Sequence, residues 1–301
     1  MTGDSSSPAR LTEEAARTAA LAAVRSCGLD PGTATFVRLG TRAVFRVAGG
    51  RVLARVTLHE HLEAAAHEVE VARWLRAAGV PVDQPWPSTS AYEAGGLVVT
   101  VWKAYDGRWG SAGELAAALK SLHSVSLAAA PPLRPWDPFP EMRSRLARSN
   151  ALDGPELSRL HALVGTCERE VRKLKYSLPS GVIHGDANVG NILRTDSGEI
   201  VLFDLEGVCT GPREWDLVTT AVYRELGWHT DVEYQQFAEE YGYDVSTWEG
   251  YSVLADAQRL RMLCWLAGKV ADSADASAAA ELRRRVEAFS DTGRPYRWQP
   301  L

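Results

Sequence analysis

Apolar and polar positions divide this chain into a strand-rich first third and a helical remainder. Thr12 is placed to cap a helix running to about Ser26, with Glu13 and Glu14 in its first turn and Leu21 and Val24 on its apolar face. Cys27-Gly28 ends that helix and Asp30-Pro31-Gly32 turns the chain. Three strands are predicted next, at Thr35–Leu39, Ala43–Val47 and Arg51–Thr57, with Ala48-Gly49-Gly50 as a hairpin turn. Leu62, Val69, Ala72 and Leu75 recur near helical spacing and predict a helix over 60–78. Gly79-Val80-Pro81 stops it, and a proline-rich loop runs to about Ser90. A short strand at 91–93 and a Gly95-Gly96 turn lead into Leu97-Val98-Val99-Thr100-Val101-Trp102, a continuous apolar run that suits a buried strand.

Beyond Lys103 the pattern turns helical. Helices are predicted over 114–123, which carries Leu115, Leu119 and Leu122, and over 141–147 and 156–174. Arg172, Lys173 and Lys175 gather at the end of the last of these, where cations favour a helix C-terminus. Four closing helices are predicted at 214–226, 232–241, 246–266 and 275–289. The Ala-rich stretch 271–280 reads as either a loop or a helix start.

Between these two helical groups lies the stretch that carries the chemistry. Val182-Ile183 leads into His184-Gly185-Asp186-Ala187-Asn188-Val189-Gly190-Asn191, and Ile192-Leu193 starts another apolar run. Asp196-Ser197-Gly198-Glu199 is a turn signal, and Ile200-Val201-Leu202-Phe203 returns as a strand ending on Asp204. The hairpin therefore brings Asn191 and Asp204 toward one end, where Asp186 also sits. Three oxygen-bearing side chains there suit a hard cation. Magnesium takes one or two carboxylates together with substrate phosphates and keeps several waters. Asn191 and Asp204 are the candidate magnesium ligands, which leaves Asp186 to accept a proton from an attacking hydroxyl, as phosphoryl transfer requires. A lone H-G-D would be explained by turn capping; H-G-D-x-x-x-x-N followed by a strand-terminal Asp is a far more specific pattern.

These residues resemble those of the aminoglycoside phosphotransferases and their relatives, which share the protein-kinase-like fold. Gly211-Pro212-Arg213-Glu214-Trp215-Asp216-Leu217 resembles the family segment that follows the metal-binding Asp. The order of elements is similar from about 33 to 290. The resemblance implies an α+β, two-lobe fold: a small antiparallel-sheet lobe and a mostly helical large lobe. It divides the chain into a flexible tail (1–10), a nucleotide-binding lobe (11–102), a hinge (103–107) and a catalytic and acceptor-binding lobe (108–301). It implies Asp186 as catalytic base, Asn191 and Asp204 as holders of Mg2+, and His184 and Asp216 as residues that brace the loops. Backbone groups from Trp102 to Ala104 would hold the nucleotide base. The connection Leu39-Gly40-Thr41-Arg42 would cover the phosphates, although it has one glycine and no G-x-G-x-x-G.

Arg55 stands where the family has a lysine that pairs the nucleotide phosphates. Arginine keeps the charge and adds a planar fork. Read from its neighbours alone, it would be a solvated strand face. Glu68 resembles the glutamate that pairs with this cation, and Glu70 is the competing candidate on another face of the helix. The implied activity is transfer of phosphate from ATP or GTP to a hydroxyl of a small molecule, with antibiotic inactivation the first expectation. Choline, homoserine and macrolide kinases share the motif and stand as metabolic alternatives. A nucleotide-binding pseudoenzyme is the reading from a different class, motivated by Arg55 and the thin glycine loop.

Composition narrows the partners. A net charge of −5 argues against nucleic acid. The four cysteines lie far apart without C-x-x-C, which suits buried thiols in a reducing compartment. Met1–Pro8 has no apolar core, and no run approaches the length of a membrane span, so a cytoplasmic protein without a membrane partner is expected. From Glu225 to Gln258 there are acids but no lysine or arginine, interleaved with aromatic residues. Such a field would favour a cationic acceptor, with Asp231, Asp244 and Asp256 as candidate contacts.

Overall fold

The computed structural model describes residues 11–40, 42–87, 90–272, 275–289 and 298–300. The expected tail at 1–10 lies outside them. In chain order the elements are α1 (Glu13–Ser26), β1 (Thr35–Leu39), β2 (Ala43–Val47), β3 (Val52–Leu58), α2 (Leu62–Ala77), β4 (Tyr92–Ala94), β5 (Leu97–Lys103) and β6 (Gly107–Trp109). They continue with α3 (Ala112–His123), α4 (Phe139–Arg148), α5 (Gly154–Val171), β7 (Gly181–Ile183), β8 (Ile192–Thr195), β9 (Ile200–Leu202) and β10 (Cys209–Gly211). The last are α6 (Glu214–Glu225), α7 (Asp231–Tyr241), α8 (Tyr251–Asp272) and α9 (Ala276–Ala288). The chain packs as two compact units. The first takes residues 1–110, 125–133 and 190–208, and the second takes 111–124, 134–189 and 209–301.

In the first unit the strands form a five-stranded antiparallel sheet in the order β1-β2-β3-β5-β4. The register sets Phe45 beside Ala54 and Val56 beside Val99. Phe45, Val47, Val52, Ala54, Val56, Val99 and Val101 make a buried face. α1 covers it with a stripe of Ala16, Ala19, Ala20, Ala23 and Val24, short side chains that let the helix sit close to the strands. The Ala15 N–H donates to Thr12 Oγ1 at 3.3 Å, so the expected cap starts the helix. The Leu97–Trp102 run is buried along its length, as a central strand should be. β1 is exposed throughout and forms an edge.

The first unit runs on past 103–107, because β6 pairs with β8 in a second sheet, β6-β8-β9. The β8–β9 hairpin sets Ile192 opposite Leu202. One step beyond that pair, the Phe203 N–H donates to the Asn191 carbonyl at 2.8 Å.

The second unit is helical apart from the antiparallel pair β7–β10, in which Ile183 lies opposite Cys209. Capping boxes at Ser111/Glu114, Asp153/Glu156 and Thr230/Glu233 start α3, α5 and α7. α8 packs against α4, α5, α6 and α9. The helix expected over 246–266 is divided. Asp244 accepts from the Ser246 N–H at 3.0 Å and closes a short 3-10 turn, Val245–Thr247. Trp248 is then extended, and α8 starts at Tyr251 and runs to Asp272. In the Ala-rich stretch Asp275 caps α9, which starts at Ala276. Among the described residues no helix is long and apolar enough to cross a membrane.

Gly211 sets how closely β10 lies against its neighbours. A Cβ there would stand 2.6 Å from Trp136 Cβ and 2.9 Å from Ile183 Cδ1. Gly211→Ala is expected to lose about 1–3 kcal/mol by overpacking, read from urea denaturation. A loss under about 0.5 kcal/mol, the usual scatter of a harmless surface change, would mean that Trp136 moves aside freely.

Candidate active site

In the second unit the His184-Gly185-Asp186 loop follows β7 and is held from behind by the first turn of α6. The Asp216 carboxylate is fully buried and accepts the backbone N–H of His184 at 2.6 Å and of Gly185 at 2.9 Å. Its Oδ2 also lies 3.0 Å from His123 Nε2, and His123 Nδ1 is 2.8 Å from the Tyr241 hydroxyl. Burial alone would raise the Asp216 pKa. The His123 hydrogen bond and charge, together with the loop N–H groups, outweigh burial and hold it below the usual carboxylate range. Trp215 donates its indole N–H to the Gly185 carbonyl at 3.0 Å. Gly185 has φ 83, a left-handed conformation that favours glycine. The His184 side chain is buried, and its Nδ1 accepts the Asp186 N–H at 3.3 Å.

These restraints fix the loop backbone and leave the Asp186 carboxylate outward, 43% exposed. It pairs with Arg261 of α8, which also donates to Gln258 at 3.2 Å and lies over the Trp215 ring at 5.7 Å. Spacing offered no signal for Arg261 or His123, which lie 75 and 93 residues from their partners.

In the first unit Asn191 and Asp204 are neighbours through the Phe203–Asn191 hydrogen bond. Asp204 has φ 61, an uncommon conformation for a non-glycine residue and a mark of a functional position when the surroundings enforce it. One carboxylate and one amide make a sparse donor set, and no cluster of three or more His, Cys, Asp or Glu able to hold a metal occurs among the described residues. That chemistry fits magnesium, which completes its shell with water and phosphate, and does not fit zinc.

The first unit also holds a buried charge network. Arg55 donates through Nη1 to Glu68 at 3.1 Å and through Nη2 to Asp83 at 2.5 Å, and stacks over Trp102 at 4.4 Å. Glu68 and Asp83 are almost fully buried. Glu70 is exposed and lies near His67, so Glu68 is the helix glutamate that meets Arg55. Burial pushes the Asp83 carboxyl up, against the downward pull of Arg55. Asp83 and Arg42 are members that sequence reasoning missed. Arg42 donates to Glu68 at 2.6 Å and also pairs with Glu206.

The remaining expected contacts are placed as follows. The Gly40 N–H donates to the Arg42 carbonyl at 3.1 Å, closing the β1–β2 turn, and Thr41 lies outside the described residues. The Trp102 side chain is buried and donates to Thr100 Oγ1 at 2.9 Å. The N–H groups of Lys103 and Ala104 donate to the carbonyls of Gln84 at 2.8 Å and Arg51 at 2.9 Å. Asp231, exposed at the start of α7, is 4.0 Å from Arg224 Nε. Asp244 accepts from the Tyr234 hydroxyl and from Ser246, each at 2.6 Å. Asp256 pairs with Arg259 at 2.7 Å, and Arg259 also holds Glu225. Arg224 and Arg259, the residues just outside the acidic stretch, thus lie beside three of its acids, Asp231, Glu225 and Asp256.

A family model described as the phosphotransferase enzyme family, APH, matches residues 33–255. The chain belongs to the APH phosphotransferase family. No curated protein matches it. Among solved structures it is similar to the amicoumacin kinase hAmiN, solved with AMP-PNP, Ca2+ and Ami: 16% identity, TM-score 0.70, covering 90% of this chain and 92% of that one. It is similar to a choline/ethanolamine kinase family protein from Mesorhizobium loti, at 19% identity and TM-score 0.64, covering 93% and 95%. It is also similar to the spectinomycin phosphotransferase APH(9)-Ia, solved with ADP and spectinomycin, at 18% identity and TM-score 0.61, covering 89% and 92%. At these identities the likeness shows the fold: α+β, with an N-terminal five-stranded antiparallel sheet and a mostly helical C-terminal part, as in protein-kinase-like APH structures.

In this phosphotransferase the depressed Asp216 value sets a pH dependence. A carboxylate whose folded pKa is lowered contributes stability above its unfolded value, about 3.9, and loses it as pH falls through the lower folded value. Asp216→Asn is expected to cost about 3 kcal/mol at neutral pH, the scale of breaking a buried charged pair. The gap to wild type should narrow below about pH 4. Urea denaturation across that range checks it; a gap that stays constant would mean that the charge is not its source.

Proposed function

We propose that this family member transfers the terminal phosphoryl group of ATP or GTP to a hydroxyl of a small molecule, with an antibiotic as the leading acceptor class. The observation that carries the reading is the pinned His184-Gly185-Asp186 loop, which presents an outward carboxylate to accept the hydroxyl proton. Asn191 lies five residues further along the chain. A base and a metal-ligand pair so close in sequence supply the parts that phosphoryl transfer needs.

In this mechanism Asp186 accepts the proton as the acceptor oxygen attacks, and Arg261 holds the carboxylate in place. Asn191 and Asp204 are the residues that would hold Mg2+. Bound there, the ion would neutralise phosphate charge. His184, Trp215 and Asp216 keep the loop from shifting, which preserves the alignment on which proximity effects depend. The choice of small-molecule acceptor is supported by the relatives, whose names include antibiotic kinases and a choline/ethanolamine kinase family protein. Of the acidic candidates, Asp244 and Asp256 are engaged within the chain, while Asp231 is exposed and stands as a candidate contact for a cationic acceptor.

The test is turnover with a panel of hydroxyl-bearing natural products, read by mass spectrometry as the gain of one phosphoryl group. Asp186→Ala should lower turnover by roughly 10²-fold or more with nucleotide affinity nearly intact. Asp204→Ala should weaken magnesium-dependent nucleotide binding, and Asn191→Ala should do so less, as the loss of a neutral ligand. Near-normal turnover of a folded Asp186→Ala protein would remove the base assignment. Nucleotide binding without turnover on any acceptor would favour a binding module.

A further inference from the structure

Two arginines stand in the first unit's charge network, and their surroundings differ. Both amino ends of Arg55 are taken by carboxylates that are 1% exposed, and its plane is stacked on buried Trp102. Moving Arg55 toward a ligand would strand the buried Asp83 without its counter-charge, a change that costs several kcal/mol for a buried pair. Arg55 is therefore a fixed post. Arg42 is built differently. Its Nη1 rests on the buried Glu68, at 2.6 Å, while its Nη2 reaches Glu206, whose side chain is 58% exposed. The inner arm is anchored, and the outer arm is held by a carboxylate that water can take over at little cost.

The outer arm also ends on the turn that directly follows Asp204. Glu206 is two residues beyond Asp204, on the 3-10 turn Leu205–Gly207, and the Asp204 charge is felt at Arg42. A magnesium ion on a set as sparse as Asn191 and Asp204 must draw oxygens from its substrate. Phosphate oxygens brought to Asp204 would then compete with Glu206 for the same guanidinium arm. Arginine meets phosphate well, because its fork matches two oxygens and its charge does not titrate.

We infer that Arg42, and not Arg55, is the cation that grips the nucleotide polyphosphate. Its Nη2 exchanges Glu206 for a phosphate oxygen while Nη1 stays on Glu68, and Arg55 serves as the post that keeps Glu68 in position. This inference rests on the nucleotide-dependent reading above. Glu206 then acts as a stand-in for phosphate that keeps the outer arm aimed when no nucleotide is present.

Titration calorimetry with magnesium AMP-PNP and with AMP, run beside thermal melts of the full chain, tests it. Arg42→Ala should weaken magnesium AMP-PNP by roughly 10–100-fold, the scale of a lost charge-assisted hydrogen bond, and leave AMP affinity within a few-fold of wild type. Arg42→Lys should recover part of the loss. Arg55→Met should show itself mainly as a lowered melting temperature. Should Arg42→Ala fail to fold, Glu206→Gln carries the test: removing the competing charge should tighten magnesium AMP-PNP several-fold, and an unchanged or weaker affinity would overturn the assignment. Wild-type affinity for magnesium AMP-PNP in a folded Arg42→Ala protein would overturn it as well. A wild-type chain that binds no nucleotide at all would instead remove the phosphotransferase reading on which the inference stands.

Discussion

The buried carboxylate of Asp216 is the constraint on which the rest of the second unit's site depends. Burying a carboxylate costs several kcal/mol unless its lone pairs are met. Here they are met by two successive backbone N–H groups and by His123. Two adjacent N–H groups can point at one acceptor only if the chain bends sharply between them, and Gly185 at φ 83 permits that bend. The neighbours of Asp216 on α6 complete the hold. Glu214 accepts the N–H groups of Ser177 and Leu178, each at 2.7 Å, ahead of β7, and Trp215 binds the Gly185 carbonyl after it. Three consecutive residues of one helical turn thus secure both ends of a strand three residues long. Asp216 and Glu214 also sit where a helix N-terminus favours negative charge.

The first unit applies the same principle with opposite partners. Glu68 and Asp83 are buried acids whose compensation comes mainly from guanidinium groups, with the Gln84 N–H also donating to Asp83 at 2.7 Å. A network of this kind gains little over an apolar core in stability. It fixes orientation, because a planar fork with two occupied ends and an aromatic ring against its face has few alternative positions.

Sequence was most informative where structure is local. The Thr12 cap, the hairpin turns and the β8–β9 hairpin all depend on residues a few positions apart, so their spacing is legible. The strand-terminal Asp204 is local in the same way, since the Phe203–Asn191 hydrogen bond at 2.8 Å continues the β8–β9 hairpin. What spacing cannot carry are side chains that arrive from elsewhere. His123 comes to Asp216 from α3, Arg261 to Asp186 from α8, and Arg42 to Glu206 across 164 residues. The acidic stretch shows the same limit in another form. A count confined to 225–258 stops one residue short of Arg224 and one short of Arg259, and those two cations lie beside Asp231, Glu225 and Asp256. The break ahead of α8 was hidden because Asp244, which closes the preceding turn, looked like one more member of the acidic field.

The Arg261–Asp186 pair bears on how a reacting hydroxyl would be held under the proposed function. The stretch from His184 to Asn191 contains no lysine or arginine, so the cation beside the base comes from α8. It is held there by Gln258 and by the face of Trp215, and its side chain is 20% exposed. A hydroxyl approaching Asp186 meets a carboxylate on one side and a guanidinium on the other. It can donate to the first and accept from the second, which orients its lone pair without any charge of its own. An ammonium group next to that hydroxyl would meet the Asp186 carboxylate and the Arg261 guanidinium together, so attraction to the first largely cancels repulsion from the second. The pair therefore orients the reacting hydroxyl without selecting the acceptor by charge.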